Sequence, residues 1–260
     1  GAQSFTTSGQ CLNWFATQTD KMVFNIDYPA IVTDGLVLNL DAGFAPSYPT
    51  TATTWYDLSG YGNNGTLTNG PTFNSVNGGS IFFDAVDDIA IIQQGLDYPY
   101  PYPFSAYEIW VKTSGIAFGM IYSGIFALDY GRLVDIKSGG VVQYIQQSGP
   151  SAVLVNTSVI PTNANLFDNE FHQIVCLRNT TTAEIYVDGL LQKTVSNGGN
   201  PSWDGLNTWS NIMNARLAVD PNNPTNLRFQ GYIAITRMYN KALTSAEVLQ
   251  NYQATFPRFL

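Results

Sequence analysis

The chain has 260 residues, with 19 acidic against 11 basic side chains and a formal charge of −8. An acidic surface poor in Lys and Arg repels nucleic acid and anionic membranes alike, so neither is an expected partner. Charged residues make up only 12%, while Tyr and Phe number 15 each, the composition of many strands joined by polar turns. At this length a single β-sandwich can bury a core large enough to fold without disulfides or metal staples.

Residues 1–33 carry irregularly spaced apolar side chains, among them Phe5, Leu12, Trp14, Phe15, Val23, Phe24, Ile26, Ile31 and Val32. They read as an extended N-terminal arm with a short strand near residues 22–26, broken by Pro29. An arm this apolar should dock on something, either its own domain or a partner. From Asp34 to residue 260 the pattern is that of one domain. Leu36, Leu38 and Leu40 alternate with Val37 and Asn39 as a strand. Residues 57–65 form a dense turn cluster. Short strands are expected at 80–84 and 89–93, then at 104–112, 116–128, 133–136, 141–146 and 152–155.

Residues 171–195 give the clearest local signal, with Asp188-Gly189 between two alternating runs. Asp-Gly is a preferred type I′ hairpin turn because both central residues need positive φ. Further strands are expected at 215–219 and 229–239. One helix follows: Thr244 can cap it, Glu247 completes a capping box, and Val248, Leu249 and Tyr252 form an apolar stripe. Many short strands with a single short helix imply a sandwich.

No run approaches the roughly 18 apolar residues of a transmembrane helix, so membrane insertion is not expected. The N-terminus lacks the basic and apolar regions of a signal peptide. Cys11 lies in the arm and Cys176 in a predicted strand. They are either two reduced thiols packed as small hydrophobes or a disulfide that clamps the arm.

The block Gly35-Leu36-Val37-Leu38-Asn39-Leu40-Asp41-Ala42-Gly43, followed by Thr54-Trp55-Tyr56-Asp57-Leu58-Ser59-Gly60-Tyr61-Gly62-Asn63-Asn64-Gly65-Thr66-Leu67, resembles the opening of concanavalin A-like, laminin-G-type domains. Ser80-Ile81-Phe82-Phe83-Asp84 with Asp87-Asp88, then Ile109-Trp110-Val111-Lys112, match the next blocks. Phe171-His172-Gln173-Ile174-Val175, Ile185-Tyr186-Val187-Asp188-Gly189, Gly231-Tyr232-Ile233-Ala234 and the closing helix complete the order. The resemblance spans about residues 34–255. It implies an all-β, two-sheet antiparallel jelly-roll sandwich with one short C-terminal helix. The wording of the blocks is also similar to virion structural proteins of tailed, especially marine, phages, where such domains decorate capsids or fibres.

The fold hosts lectins, adhesion modules and glycosidases, so function must come from residues. Retaining glycosidases need two carboxylates about 5–5.5 Å apart, and the hydrolases of this superfamily carry Glu-x-Asp-x-(x)-Glu. The chain has only the glutamates Glu108, Glu170, Glu184 and Glu247, and none of them begins a Glu-x-Asp-x-(x)-Glu run. No catalytic residue is therefore expected, although Glu108 stands alone on an apolar strand. The single histidine, His172, cannot build a His-cluster metal site. Without a Gly-x-Ser-x-Gly elbow it reads as structural.

Asp84, Asp87 and Asp88 can converge on calcium, which takes about six to eight oxygens, or can satisfy turn N–H groups. Asp57, Asn63 and Asn64 form a weaker set with the same two readings. Tyr98, Tyr100 and Tyr102 alternate with prolines on a stiff ribbon, and Trp203, Asp204 and Trp209 share a later loop. These aromatics either stack on sugars or pack on the sandwich edge. The sequons at Asn64, Asn156 and Asn179 are explained by chance in so Asn- and Thr-rich a chain.

The expected protein is a non-enzymatic virion-surface or adhesion module, structural and glycan-binding, located on the virion. Its arm would contact other virion or surface proteins or a second copy of the chain, and calcium is its one candidate cofactor. The alternative is a secreted, extracellular carbohydrate-binding or inactive glycosidase-like domain.

Overall fold

Strand alternation along the chain is realised in a computed structural model that describes residues 28–92, 105–115, 122–128, 132–147, 153–179, 181–196, 215–217 and 229–260. In chain order the strands are β1 (Leu36–Asp41), β2 (Thr54–Trp55), β3 (Gly65–Thr68), β4 (Thr72–Asn74), β5 (Ser80–Asp84), β6 (Ile89–Ile92), β7 (Ser105–Lys112) and β8 (Tyr122–Leu128). They continue as β9 (Arg132–Lys137), β10 (Val141–Gln147), β11 (Val153–Val159), β12 (Phe171–Arg178), β13 (Thr182–Val187), β14 (Leu190–Ser196), β15 (Ala215–Leu217) and β16 (Gln230–Tyr239). A helix, α1 (Ser245–Thr255), and a 3-10 turn (Phe256–Phe259) end the chain.

The strands form two antiparallel sheets, giving the expected sandwich. One runs β14-β13-β12-β7-β16-β5-β4, with β1 also on β16, and the other runs β11-β10-β9-β8-β15-β6-β3-β2. β16 organises the first sheet. One of its sides pairs with β7, and the other pairs with β5 over Gln230 to Ile233 and with β1 over Ile235 to Tyr239. Between the sheets lies the main core, which includes Trp55, Phe83, Ile109, Ile174, Ile185 and Met238. Fully burying one such side chain contributes roughly 1.5–3 kcal/mol.

The first sheet is covered on its outer face as well. Val248 of α1 packs with Val175, Leu177, Tyr186 and Tyr239. Trp110 stacks on Tyr252 at 5.7 Å and on Phe259 at 4.9 Å. Burial on both faces is why β7 and β12 read as nearly continuous apolar runs.

Local signals behave as their chemistry requires. Asp188 and Gly189 take φ of 50° and 75°, the positive pair of a type I′ turn. A Cβ on Gly189 would sit 3.1 Å from Leu249 and Tyr252, so glycine also lets α1 approach the turn. Thr244 and Glu247 form the reciprocal capping box of α1.

Three differences from expectation have simple causes. β1 is not a plain alternation: a bulge between Leu36 and Leu38 leaves Val37 extra, so Leu36 joins the outer cluster while Leu38 and Leu40 face the inner core. β2, β3 and β4 were not expected, because two to four Thr- and Gly-rich residues show no readable period. β11 runs on to Val159, beyond the expected end at residue 155. The predicted strand at 22–26 and the start of the 116–128 run lie outside the described residues.

Candidate functional site

Asp84 ends β5 and Asp88 precedes β6, with Ala85 at φ 65° inside the turn between them. The turn places one carboxylate oxygen each of Asp84, Asp87 and Asp88 within 4.8 Å of one another. Two oxygens also serve the backbone: Asp84 Oδ1 accepts from Val86 N at 2.7 Å and Asp88 Oδ2 from Asp84 N at 3.1 Å. Asn69 Nδ2 donates to the Asp87 carbonyl at 2.8 Å, tying this turn to the one after β3. Asp87 is exposed and Asp88 buried, so a cation here would be reached from the Asp87 side.

In the Asp57 turn the carboxylate is fully used, while Asn63 Oδ1 is buried without a hydrogen-bond partner among the described residues. Asp57 Oδ1 accepts from the amides of Asn39 and Ser59, and Oδ2 from the Ser59 hydroxyl and the Asn63 amide, at 2.6–3.0 Å. Asn64 Oδ1 accepts from Asp57 N, and Asn63 Nδ2 donates to the Val37 carbonyl. These bonds close the turn against β1, which gives Asp57 and Asn64 a turn-forming role.

Glu108 occupies the centre of the outer face of the first sheet, 1% exposed. Its Oε1 accepts from Arg237 Nη1 at 2.7 Å, Gln173 Nε2 at 3.0 Å and Trp110 Nε1 at 3.1 Å. Its Oε2 accepts from Asn251 Nδ2 of α1 at 2.7 Å. Arg237, 4% exposed, reaches on to Asn39 and Thr255. Asn251 Oδ1 accepts from Val32 N at 2.8 Å, and the Val32 carbonyl accepts from the Tyr239 hydroxyl at 3.1 Å. Burial, then the nearby Glu108 charge, pushes the Tyr239 phenol pKa up. Glu108 thus joins β7, β12, β16, α1 and the stretch around Val32 into one buried polar node.

His172 opens β12 between Asp188 and Asp168, its ring nitrogens at 2.8 and 3.1 Å from their oxygens. Burial pulls its pKa down, but hydrogen bonds and charge from the two carboxylates outweigh that and raise it above the ordinary value. Cys176 is buried in the main core, where burial and then Asp135 push its thiol pKa up. Cys11 lies outside the described residues. So do Tyr98, Tyr100, Tyr102, Trp203, Asp204 and Trp209, all the aromatic-platform candidates. The described residues instead show aromatics that sequence reasoning passed over. Phe44, Tyr56 and Tyr61 are 52%, 43% and 65% exposed, Phe44 in the loop after β1, Tyr56 just before Asp57 and Tyr61 within the Asp57 turn. Their signal was an aromatic ring set among turn-forming Gly, Asn, Ser and Pro.

Two layered antiparallel sheets with a capped outer face define a concanavalin A-like sandwich. A laminin-G family model, described as the concanavalin A-like lectin/glucanases superfamily, matches residues 101–249, and the chain belongs to that superfamily. No curated protein matches the chain. Among solved structures, the botulinum neurotoxin serotype D binding domain is similar over 85% of this chain and 52% of its own, at 15% identity and a TM-score of 0.65. The binding domain of botulinum neurotoxin DC in complex with rat synaptotagmin II follows at 13% identity and 0.63, covering 86% of this chain and 52% of that one. The DC binding domain in complex with SialylT, at 12% and 0.64, has the same coverage. The chain therefore spans about half the length of these solved chains, and at this identity the likeness is one of fold.

Proposed function

We propose that the chain is a non-catalytic recognition module that binds glycans and is displayed on a virion surface or used in adhesion. The observation that carries this reading is Glu108. The one glutamate on the expected apolar strand is paired with Arg237 and accepts from four side-chain donors, so it holds the fold together rather than facing a substrate. Support for recognition comes from the exposed aromatics and from the use of the same sandwich in neurotoxin binding domains, one in complex with rat synaptotagmin II and one with SialylT. Support for the virion setting comes from the wording of the sequence blocks.

The test is retention of the full chain on a panel of immobilised glycans. The expected result is retention by at least one glycan class, weakened about tenfold, or about 1.4 kcal/mol, when a contacting aromatic such as Tyr61, Tyr100 or Trp209 becomes Ala. Absence of retention on every glycan would overturn glycan binding.

Calcium at Asp84, Asp87 and Asp88 is proposed with it, supported by the convergence of their oxygens. A cation bound only by the folded state adds about 2.7 kcal/mol at a hundredfold excess over its Kd. Excess chelator is then expected to lower the thermal midpoint, and an unchanged midpoint would remove calcium from the account.

A further inference from the structure

His172 is the single histidine of the chain, 8% exposed. Its Nδ1 faces Asp188 Oδ2 at 2.8 Å and its Nε2 faces Asp168 Oδ1 at 3.1 Å. A neutral imidazole carries one N–H, so it can donate to one carboxylate only and turns a lone pair towards the other. The imidazolium donates to both. Asp188 is held to β12, whereas Asp168 is held otherwise only within its own loop. Asp188 Oδ1 accepts from Gln173 N, and Asp188 N donates to the Gln173 carbonyl, both at 2.9 Å. Asp168 Oδ1 also accepts from Glu170 N at 2.9 Å. The two acids belong to different segments: Asp188 to the β13–β14 turn, Asp168 to the loop between β11 and β12.

We infer that His172 is a proton-operated latch that, as imidazolium, ties the β11–β12 loop to the Asp188-Gly189 hairpin turn and releases the loop side when it loses its proton.

The surroundings are consistent with a local device. From the hairpin turn and the loop, the charged groups facing the ring are Asp188 and Asp168. On β7, Val111 pairs with His172, and the adjacent Lys112 lies over the rings of Phe171 and Tyr232. From α1, Tyr252 is close enough to Asp188 to feel its charge. Glu170, further along the loop, is exposed and uses its amide rather than its carboxylate here. The start of the loop is fixed independently: Thr162 N donates to Gln192, Asn163 Nδ2 donates to the Val187 carbonyl, and Leu166 is buried in the core. Release is therefore confined to residues 167–170 and is partial, because Asn169 N keeps its bond to the Thr113 carbonyl at 3.2 Å and Phe167 packs against the main core. The sign follows from linkage. With the folded-state pKa raised, the latch contributes fully below the unfolded value of about 6.5 and is lost as pH rises through the folded value.

Because there is one histidine, its ring resonances can be titrated by NMR in the full chain without assignment. The expected midpoint lies above about 6.5, each pH unit of excess meaning about tenfold stronger proton retention on folding. Asp168→Asn should bring that midpoint down. Amide exchange at residues 167–170 should step up severalfold across the midpoint, beyond the intrinsic pH trend, and His172→Gln should abolish the step. A midpoint at or below about 6.5, or an unchanged step in His172→Gln, would overturn the latch. If His172→Gln does not fold, the Asp168→Asn titration decides alone: an unmoved midpoint is the contrary result.

Discussion

Arg237→Ala is expected to destabilise the domain by about 3–5 kcal/mol, because it leaves a buried carboxylate without its counter-charge. Arg237 lies within β16 at 4% exposure, its Nη1 2.7 Å from Glu108. The remaining donors to Glu108, from Trp110, Gln173 and Asn251, are neutral. Replacing both partners, as Glu108→Leu with Arg237→Met, should recover part of the loss, since a buried ion pair can be exchanged for apolar packing. Recovery stays incomplete because the three neutral donors then lose their shared acceptor, at about 1–3 kcal/mol for each one left buried and unsatisfied. Urea unfolding of the single and double variants measures both statements. A single-variant loss below about 1 kcal/mol would place Glu108 outside the stabilising framework.

Starting the chain at Asp34 instead of Tyr28 is expected to cost roughly 3–8 kcal/mol, a large share of the 5–15 kcal/mol that holds a typical domain. The removed stretch takes with it the Val32 N–H that Asn251 Oδ1 accepts and the Val32 carbonyl that accepts from Tyr239. Val32 itself packs with Leu36, Tyr239 and Val248, and Gln250 Nε2 donates to the Ala30 carbonyl at 2.7 Å. The proposed assembly arm is therefore best tested by removing residues 1–27 and leaving this docked stretch intact. That shortened chain should fold. If the arm's apolar residues assemble copies or bind a particle protein, its mass in light scattering should fall to that of a monomer. A full chain that is already monomeric, and fails to bind surface proteins that the shortened chain also fails to bind, would contradict the arm's role. Comparable stability of the chains starting at Tyr28 and Asp34 would contradict the docking.

Features written within a few residues were legible in advance. The Asp188-Gly189 turn and the Thr244–Glu247 capping box each depend on local backbone geometry, and both form. The apolar runs of β7, β12 and β16 were legible as strands, but their pairing with one another was not, because sheet order is set by contacts distant in sequence. The Glu108 node was not legible, since Arg237 and Asn251 lie 129 and 143 positions away and meet Glu108 only through sheet order and helix docking. A lone acid on an apolar strand signals a buried partner without saying which. His172 is similar: Asp168, four residues before it, is close in sequence, but Asp188 reaches it only because the hairpin folds back. The acidic cluster at Asp84, Asp87 and Asp88 was local and visible, yet sequence could not distinguish turn-capping from cation binding, and its oxygens are arranged for either.

The central claim, that Glu108 is a structural carboxylate in a non-catalytic module, is tested most directly by measuring Glu108→Gln and the parent side by side for thermal midpoint and for reducing-end release from a set of polysaccharides. The expected result is a clearly lowered midpoint, because a neutral amide cannot match the carboxylate's ion pair with Arg237 and turns an N–H donor towards other donors, with no release by either protein. Release by the parent that disappears in Glu108→Gln, at an unchanged midpoint, would contradict it.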